Sequence, residues 1–156
     1  MSRVELPRPD RKPLIALVDR ANRALQTDMV GTAHRRGHPE VKPAHNSVFG
    51  TLPADGARAA DMAARSGMTR QSMGEVIREL VALDILEMRS DPDDGRAKIV
   101  TYTDHGASVA ADGYRHLQEL ETRFTEEFGP DAYEITRKVL DRLPALLEAW
   151  STDEHN

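Results

Sequence analysis

The sequence predicts a mainly α-helical protein with a small β-hairpin, in which a compact central lobe lies between long N- and C-terminal helices. Two observations support this fold class. Apolar residues recur at helical spacing over residues 13–36 and again over residues 104–150. Between these stretches, over residues 43–103, short helical segments are followed by two segments rich in the apolar and β-branched residues that are typical of strands.

The composition is that of one soluble globular unit, which we expect to span residues 1–156. Apolar residues make up 39% of the chain and charged residues 30%. No apolar run approaches the roughly 20 residues needed to cross a bilayer. Residues 1–13 lack the apolar core of a secretory signal, so we expect a cytoplasmic protein without a membrane partner.

The net charge and the absence of cysteine exclude several kinds of protein. A general binder of polyanions would be basic, whereas this chain has a net charge of -5, so any contact with nucleic acid must be local. The sequence contains no cysteine, which excludes disulfides, zinc–thiolate sites and thiol redox sensing.

The first helix is predicted over residues 13–36, where the apolar stripe consists of Leu14, Leu17, Val18, Ala21, Leu25 and Met29. Glycine and proline in residues 37–43 end this helix, because neither residue suits a helix interior. Pro43 can open a short second helix. Residues 52–57, LPADGA, are then predicted to form a turn.

The next two helices, over residues 58–65 and 69–83, have the spacing of a helix-turn-helix. Ala63 is small, as required where two helices cross steeply. Gly67 lies four residues further on and permits a left-handed turn between the helices. This pattern predicts that the second helix packs across the first.

The second helix of this pair has a good N-cap and two different faces. Thr69 is expected to cap its first turn. An apolar stripe, which should pack onto the preceding helix, consists of Met73, Val76, Ile77 and Leu80. The opposite face consists of Arg70, Gln71, Ser72, Gly74, Glu75 and Arg78. In a DNA major groove arginine reads guanine and glutamine reads adenine, so this face is typical of a recognition helix.

Two strands, over residues 85–89 and 98–103, flank the loop DPDDG, whose proline, aspartates and glycine are typical of a hairpin. A helix-turn-helix followed at once by a hairpin is a winged helix. Arg96 of this wing could lie beside a phosphate or in a narrow minor groove. Asp94 could orient the Arg96 guanidinium, or the loop aspartates could simply solvate the loop.

Periodicity over residues 104–128 predicts a long helix, and Gly129-Pro130 ends it and begins another. Pro144 lies inside the last apolar pattern, where it should kink or shorten the helix.

The chain resembles the MarR family of bacterial transcriptional regulators over nearly its whole length, most strongly over residues 57–106. GMTRQSMGEVIRELVALDILE resembles the recognition helix of the family, and DPDDGRAKIVTYTDHG resembles its wing with a D-x-R core. Asp84 departs from the family pattern, which often has glycine there, and Tyr102 stands where an aliphatic residue is usual. The resemblance implies a winged helix-turn-helix lobe over residues 43–103.

The resemblance also implies an obligate homodimer, a ligand-responsive transcriptional repressor whose two lobes bind a pseudo-palindromic operator in double-stranded DNA. The dimerisation region would be residues 13–36 and 104–150. The sequence supports the dimer independently, because a lobe of about 60 residues cannot cover the apolar stripes of both terminal regions. The candidate DNA contacts are Thr69, Arg70, Gln71, Ser72, Gly74, Glu75, Arg78, Arg89, Asp94, Arg96 and Lys98.

A small anionic or aromatic effector is implied by the resemblance, and the candidate residues for it are Arg35, His45 and Tyr114. Histidines 34, 38 and 45 lie close together in the sequence, but Gly37 and Pro39 interrupt the helical turn that a zinc site would use. We therefore expect no metal site and no cofactor. The alternative for these histidines is that they belong to a solvated and partly cationic loop.

Two other classes of function compete with DNA binding. An enzyme is not indicated, because the sequence contains no nucleophile elbow, phosphate-binding loop or HExxH motif. The alternative is a winged-helix module that binds protein without reading DNA. Such a module would expose an apolar or acidic face on its second helix, whereas here Glu75 is the acidic residue among arginines.

Overall fold

The computed structural model describes residues 10–153. The elements, in order, are α1 (Leu14–Arg35), a 3₁₀ turn (Pro43–His45), α2 (Asn46–Phe49), α3 (Ala59–Ser66), α4 (Arg70–Ala82), β1 (Leu86–Ser90), β2 (Lys98–Tyr102), α5 (Asp104–Phe128) and α6 (Pro130–Asp153). The predicted fold class, mainly α with a small hairpin, is confirmed. No described helix is both long and apolar enough to span a membrane.

The chain is divided into two compact units between Gly113 and Tyr114, inside α5. Both ends of the single unit predicted over residues 1–156, and most of the N-terminal segment judged not to be a signal, lie outside the described residues. The predicted division into a lobe over residues 43–103 and a helical dimerisation region stays a prediction.

The core of the first unit forms where α3, α4 and the hairpin meet. Ala63 is 2% exposed, and it packs with the α4 residues Met73 and Val76 as the helix-turn-helix spacing predicted. Gly67 ends α3 in the left-handed conformation, with φ of 67°. The rest of this core consists of Val48, Leu52, Ala57, Met62, Ile77, Leu80, Ile85, Leu86 and Val100. Each of the large apolar side chains among them stabilises the fold by roughly 1.5 to 3 kcal/mol.

The hairpin is antiparallel, and its register runs from Leu86 opposite Tyr102 to Ser90 opposite Lys98. A third segment joins it, because Ala57 and Val100 exchange two backbone hydrogen bonds of 2.9 and 3.1 Å. The turn predicted over residues 52–57 is present, because the Gly56 N–H donates to the Pro53 carbonyl oxygen at 3.0 Å. The pairing of Ala57 at its end was not predicted.

Gly56 makes this pairing possible. Its φ is +93°, and a Cβ there would lie 2.8 Å from the Val100 carbonyl oxygen. The backbone before α3 therefore approaches β2 more closely than any residue with a side chain would allow.

The link from α4 to β1 uses Asp84 in the left-handed conformation, with φ of 56°. Aspartate tolerates this region better than most residues that carry a side chain. The Tyr102 hydroxyl lies 3.5 Å from the Leu52 carbonyl oxygen, and the Tyr102 ring stacks 6.3 Å from the ring of Phe49.

The start of α5 packs against this link. The backbone N–H of Gly106 donates to Thr103 Oγ1 at 2.9 Å, and the Thr103 hydroxyl lies 3.2 Å from the Ile85 carbonyl oxygen. A Cβ at Gly106 would lie 1.8 Å from that same oxygen.

The second unit consists of the C-terminal part of α5 and of α6. The rings of Phe124 and Tyr133 lie 6.1 Å apart, and Arg137 forms an ion pair with Glu121. We predicted that Pro144 would kink or shorten the last helix, but α6 continues to Asp153, so the predicted shortening is wrong. A proline removes a single backbone N–H, and the hydrogen bonds of the neighbouring turns maintain the helix.

Candidate nucleic-acid interface

Helix α4 is fixed at its start by a side-chain cap. Thr69 has an extended backbone, and its Oγ1 accepts a hydrogen bond from the Ser72 N–H at 3.1 Å. The Thr69 and Ser72 hydroxyls also lie 2.8 Å apart. The predicted cap is therefore present, and the first turn of α4 has a defined direction.

Of the six residues predicted on the exposed face of α4, four are exposed, while Ser72 and Gly74 are half-buried. Arg70, Gln71, Glu75 and Arg78 are exposed, whereas Met73, Val76, Ile77 and Leu80 are buried. The Gln71 amide donates to Glu75 at 3.2 Å, one helical turn away. The Arg78 guanidinium lies 3.4 Å from where a Cβ of Gly74 would be, so it extends back along the helix over this glycine.

The wing loop is ordered by aspartates. Asp94 accepts the Ala97 N–H at its carbonyl oxygen at 2.8 Å and the Arg96 N–H at its carboxylate at 3.1 Å. Asp94 therefore orients the backbone of Arg96. The Arg96 side chain is exposed, and so are the side chains of Arg89 and Lys98 at the ends of the two strands.

Asp91, at the base of the wing, is 6% exposed and not a solvated loop residue. Its carboxylate accepts hydrogen bonds from Arg58 Nε at 2.8 Å and Arg58 Nη2 at 2.5 Å. The backbone N–H of Asp93 and the Arg58 guanidinium lower the pKa of Asp91 from its ordinary value. Arg58 was not among the predicted site residues, because nothing in the sequence links two residues that lie 33 positions apart.

The three neighbouring histidines contact different partners. His34 Nε2 lies 2.7 Å from the Val41 carbonyl oxygen, and His38 Nε2 lies 3.1 Å from Asp112 Oδ2. His45 is fully buried, and its Nδ1 accepts the Lys42 N–H at 3.2 Å. The expected solvated loop is therefore wrong for His38 and His45. Within residues 10–153, no three histidine, aspartate or glutamate side chains form a group that could hold a metal ion.

The candidate effector residues lie in different settings. Arg35 donates to Thr32 Oγ1 at 2.7 Å at the end of α1. Tyr114 is 65% exposed at the start of the second unit, while His45 has no exposed surface. Their role in effector binding stays a prediction.

An open groove lies in the first unit between α1, the segment around α2 and the turn before α4. Its volume is about 710 Å³. Amide and hydroxyl side chains predominate in its lining, which consists of Asn22, Arg23, Gln26, Thr27, Pro43, Ala44, Asn46, Ser47, Gly50, Thr51, Ser66 and Met68. The amide of Asn46 donates to the side-chain oxygen of Gln26 across it.

A helix-turn-helix, a hairpin with an exposed arginine and a third strand segment together define a winged helix-turn-helix protein. The chain matches no family model. It is similar to uncharacterized proteins of Mycobacterium tuberculosis and Mycobacterium bovis, with 29% identity over 118 residues, which are 75% of this chain and 80% of each relative.

Three solved structures show the same architecture. The MarR family transcription regulator SP03579 has a TM-score of 0.74 and 18% identity, over 88% of this chain and 90% of that one. The repressor CouR, bound to a 23-mer DNA duplex, has a TM-score of 0.69 and 22% identity, over 85% and 92%. PcaV from Streptomyces coelicolor, in complex with its natural ligand, has a TM-score of 0.65 and 22% identity, over 93% and 98%. The protein therefore has the MarR-type winged-helix fold.

Proposed function

We propose that this protein is a DNA-binding transcriptional regulator that acts in the cytoplasm as a homodimer. The observation that carries the proposal is the structure of α4, which buries one apolar face and exposes Arg70, Gln71 and Arg78 on the other. The same compact unit presents Arg96 on an ordered wing. The DNA-bound state of CouR, a repressor with the same fold, supports this use of the surface and favours repression.

The proposed contacts divide into base readers and backbone contacts. Arg70 and Gln71, in the first turn of α4, have the donors and acceptors that read base edges in a major groove. Arg78, Arg89 and Lys98 would contact phosphates, and the same role or a minor-groove contact is proposed for Arg96. Because the whole chain is acidic, these local cations would supply the electrostatic part of the affinity.

The homodimer is supported by large apolar side chains that are exposed in both units. In the first unit, Ile15 on α1 is 79% exposed. In the second, Trp150 on α6 is 59% exposed. The remaining exposed apolar side chains of these helices include Leu14, Leu17, Val18, Leu25, Ile135, Val139, Leu140 and Leu147. Patches of this kind on a soluble protein mark interaction surfaces, and a second copy would cover them by two-fold symmetry.

A small-molecule effector would give this regulator its signal. The solved structure of PcaV with its natural ligand supports ligand binding by this fold. The structure of CouR from Rhodococcus jostii RHA1 with p-coumaroyl-CoA, which is aromatic and anionic, supports an effector of that chemistry. The groove beside α1 offers amide donors and the guanidinium of Arg23. It also borders Ser66 and Met68, close to the start of α4, so occupancy could change the position of that helix.

The test is fluorescence anisotropy with DNA that flanks the gene of this protein, preceded by footprinting to locate the operator. The wild-type protein should bind one site far more tightly than random DNA of equal length. Arg70→Ala and Arg96→Ala should each weaken that binding. Lys138→Ala, which removes an exposed positive charge from α6, is the matched control and should leave it unchanged. Equal binding by all four proteins would favour the protein-binding alternative.

A further inference from the structure

An ion pair joins the start of α3 to the base of the wing. Two guanidinium nitrogens of Arg58 donate to one carboxylate oxygen of Asp91, at 2.8 and 2.5 Å. Asp91 is 6% exposed, whereas about half of the Arg58 side chain remains exposed. A two-nitrogen contact of this kind restricts direction as well as distance, because the guanidinium is planar.

The other carboxylate oxygen of Asp91 accepts a hydrogen bond from the backbone of the wing loop. Asp91 Oδ1 accepts the backbone N–H of Asp93 at 2.9 Å, and the Asp91 N–H donates to the Ala97 carbonyl oxygen at 3.1 Å. Asp94 then binds the backbone N–H of Arg96. Because the Ala97 N–H also donates to the Asp94 carbonyl oxygen at 2.8 Å, hydrogen bonds link Arg58 through Asp91, Ala97 and Asp94 to the backbone of Arg96.

The main chain beside Arg58 is fixed to the same hairpin. Gly56 approaches β2 closely, and Ala57 exchanges two hydrogen bonds with Val100. Arg58 directly follows this pair, so its Cα has a fixed place relative to the strands. The Arg58 guanidinium can therefore hold Asp91, at the base of the wing loop, in a fixed position relative to the strands.

We propose that Arg58 and Asp91 form a positioning pair that sets the orientation of the wing loop and so places Arg96 on DNA. This proposal rests on the proposed function, and it assigns the pair no contact with DNA of its own. The proposal predicts that Asp91 affects DNA affinity in the direction opposite to the effect of its charge. By charge alone, an aspartate near DNA weakens binding, whereas a positioning aspartate strengthens it.

The central experiment compares two neutral substitutions in the same loop, Asp91→Asn and Asp93→Asn, in the full-length protein. Both remove one negative charge, but Asp93 contacts Asp91 through its backbone N–H and exposes its side chain. Asp91→Asn should weaken binding to the operator roughly tenfold and flatten the salt dependence by about one unit of slope. Asp93→Asn should bind as tightly as the wild type or more tightly. If both variants bind more tightly, the loop acts through its charge and the proposal is overturned.

A double-mutant cycle tests whether the pair acts through Arg96. In the Arg96→Ala background, Asp91→Asn should cause no further loss, because the side chain that the pair positions is already absent. Equal losses in both backgrounds would mean a general effect on the lobe and would overturn the proposal. Arg58→Lys, which keeps the charge without the planar donors, should lie between the wild type and Asp91→Asn, with base preference at the α4 contacts unchanged.

Hydrogen exchange of the backbone amides of Asp93 and Arg96 tests the pair without DNA. Both amides should exchange faster in Asp91→Asn and in Arg58→Lys than in the wild type or Asp93→Asn, while α4 amides stay protected. Unchanged exchange would overturn the proposal even if DNA binding is lost. If the wild-type protein binds no DNA but the amides respond as expected, the proposed function fails while the loop-orienting contact itself stands.

Discussion

Nε2 of the buried His45 lies 3.4 Å from the carboxylate of Glu79, and this contact joins the 3₁₀ turn before α2 to the last turn of α4. The Lys42 N–H donates to Nδ1 of the ring, so the neutral ring carries its proton on Nε2, facing Glu79. The Lys42 ammonium also contacts Glu79 and, with His45, lowers the pKa of this carboxylate. The helix that we propose for DNA recognition is thereby tied to the segment that follows α1.

His45→Ala should lower the free energy of unfolding by about 2 to 4 kcal/mol, because it leaves a cavity and removes the partner of the Lys42 amide. Urea denaturation followed by circular dichroism measures the change. His105→Ala is the control, since that ring is 43% exposed, and it should cost no more than about 0.5 kcal/mol. If His45→Ala lowers the free energy of unfolding as little as His105→Ala does, the imidazole of His45 does not fix the 3₁₀ turn.

The contribution of Asp91 to stability should depend on pH with a definite sign. Its folded-state pKa lies below the ordinary value of 3.8, so the contribution is complete above that value and is lost as the pH falls through the lowered pKa. The free energies of unfolding of the wild type and Asp91→Asn should therefore differ most at about pH 6, and the difference should shrink as the pH falls below 3.8 towards the lowered pKa. A difference that stays constant over this range would contradict the ion pair with Arg58.

The contribution of Tyr102 to stability should depend on pH in the opposite direction, with the loss at alkaline pH. Burial raises its pKa from 10.0 to about 12, so the folded state favours the neutral phenol. Its contribution is complete below pH 10.0 and is lost as the pH rises through the folded value of about 12. Tyr102→Phe should therefore lose less stability than the wild type between these values. Parallel urea titrations at neutral and alkaline pH measure this, and equal alkaline losses would count against burial of the hydroxyl.

The periodic features of the fold could be read from the sequence because they depend on neighbouring residues. The bounds of α5, the Thr69 cap and the left-handed Gly67 are all local, and each is present as predicted. Of the two effects predicted for Pro144, a kink or a shorter helix, the shortening is wrong, because the proline removes a single hydrogen bond and the turns around it maintain α6 to Asp153.

Long-range pairs at the site could not be read in this way. Ala57 looked like part of a turn, and only the register of β2 reveals its pairing with Val100. Arg58 carried no signal of its own, since an arginine at the start of a helix is ordinary. His38 contacts Asp112, which lies 74 positions further on, because α5 packs on the loop after α1.

The exposed Trp150 offers a direct test of the dimer. It is the single tryptophan of the chain, so its emission reports one environment. In the homodimer Trp150 should be covered and should emit at shorter wavelength. Dilution, or the substitution Ile15→Asp, which disrupts the dimer without changing the tryptophan itself, should shift the emission to longer wavelength. Sedimentation equilibrium should give twice the 17.4 kDa mass of the chain for the wild type and the single mass for Ile15→Asp. A monomeric wild-type protein would contradict the dimer.

Arg70 and Arg78 should differ in what they contribute to DNA binding. Arg70→Ala should relax the preference at one base position in each half-site and cost roughly 1 to 3 kcal/mol on the operator, with a smaller effect on random DNA. Arg78→Ala should weaken binding similarly on all sequences and reduce the salt slope by about one unit. Selection from randomised half-sites, placed about one helical turn apart, measures both. An unchanged base preference in Arg70→Ala would show that α4 reads the groove with other residues.

Gly106 determines where this protein can be altered without loss. The surface of α5 around it includes exposed positions that should accept many residues, yet even a methyl group at Gly106 would overlap the Ile85 carbonyl oxygen. In a library that samples every residue at every position, 106 should therefore be as intolerant as the buried core, alanine included. A fluorescent or affinity label for following the regulator belongs on the neighbouring exposed positions, such as Ala107 or Ser108, and not at the glycine.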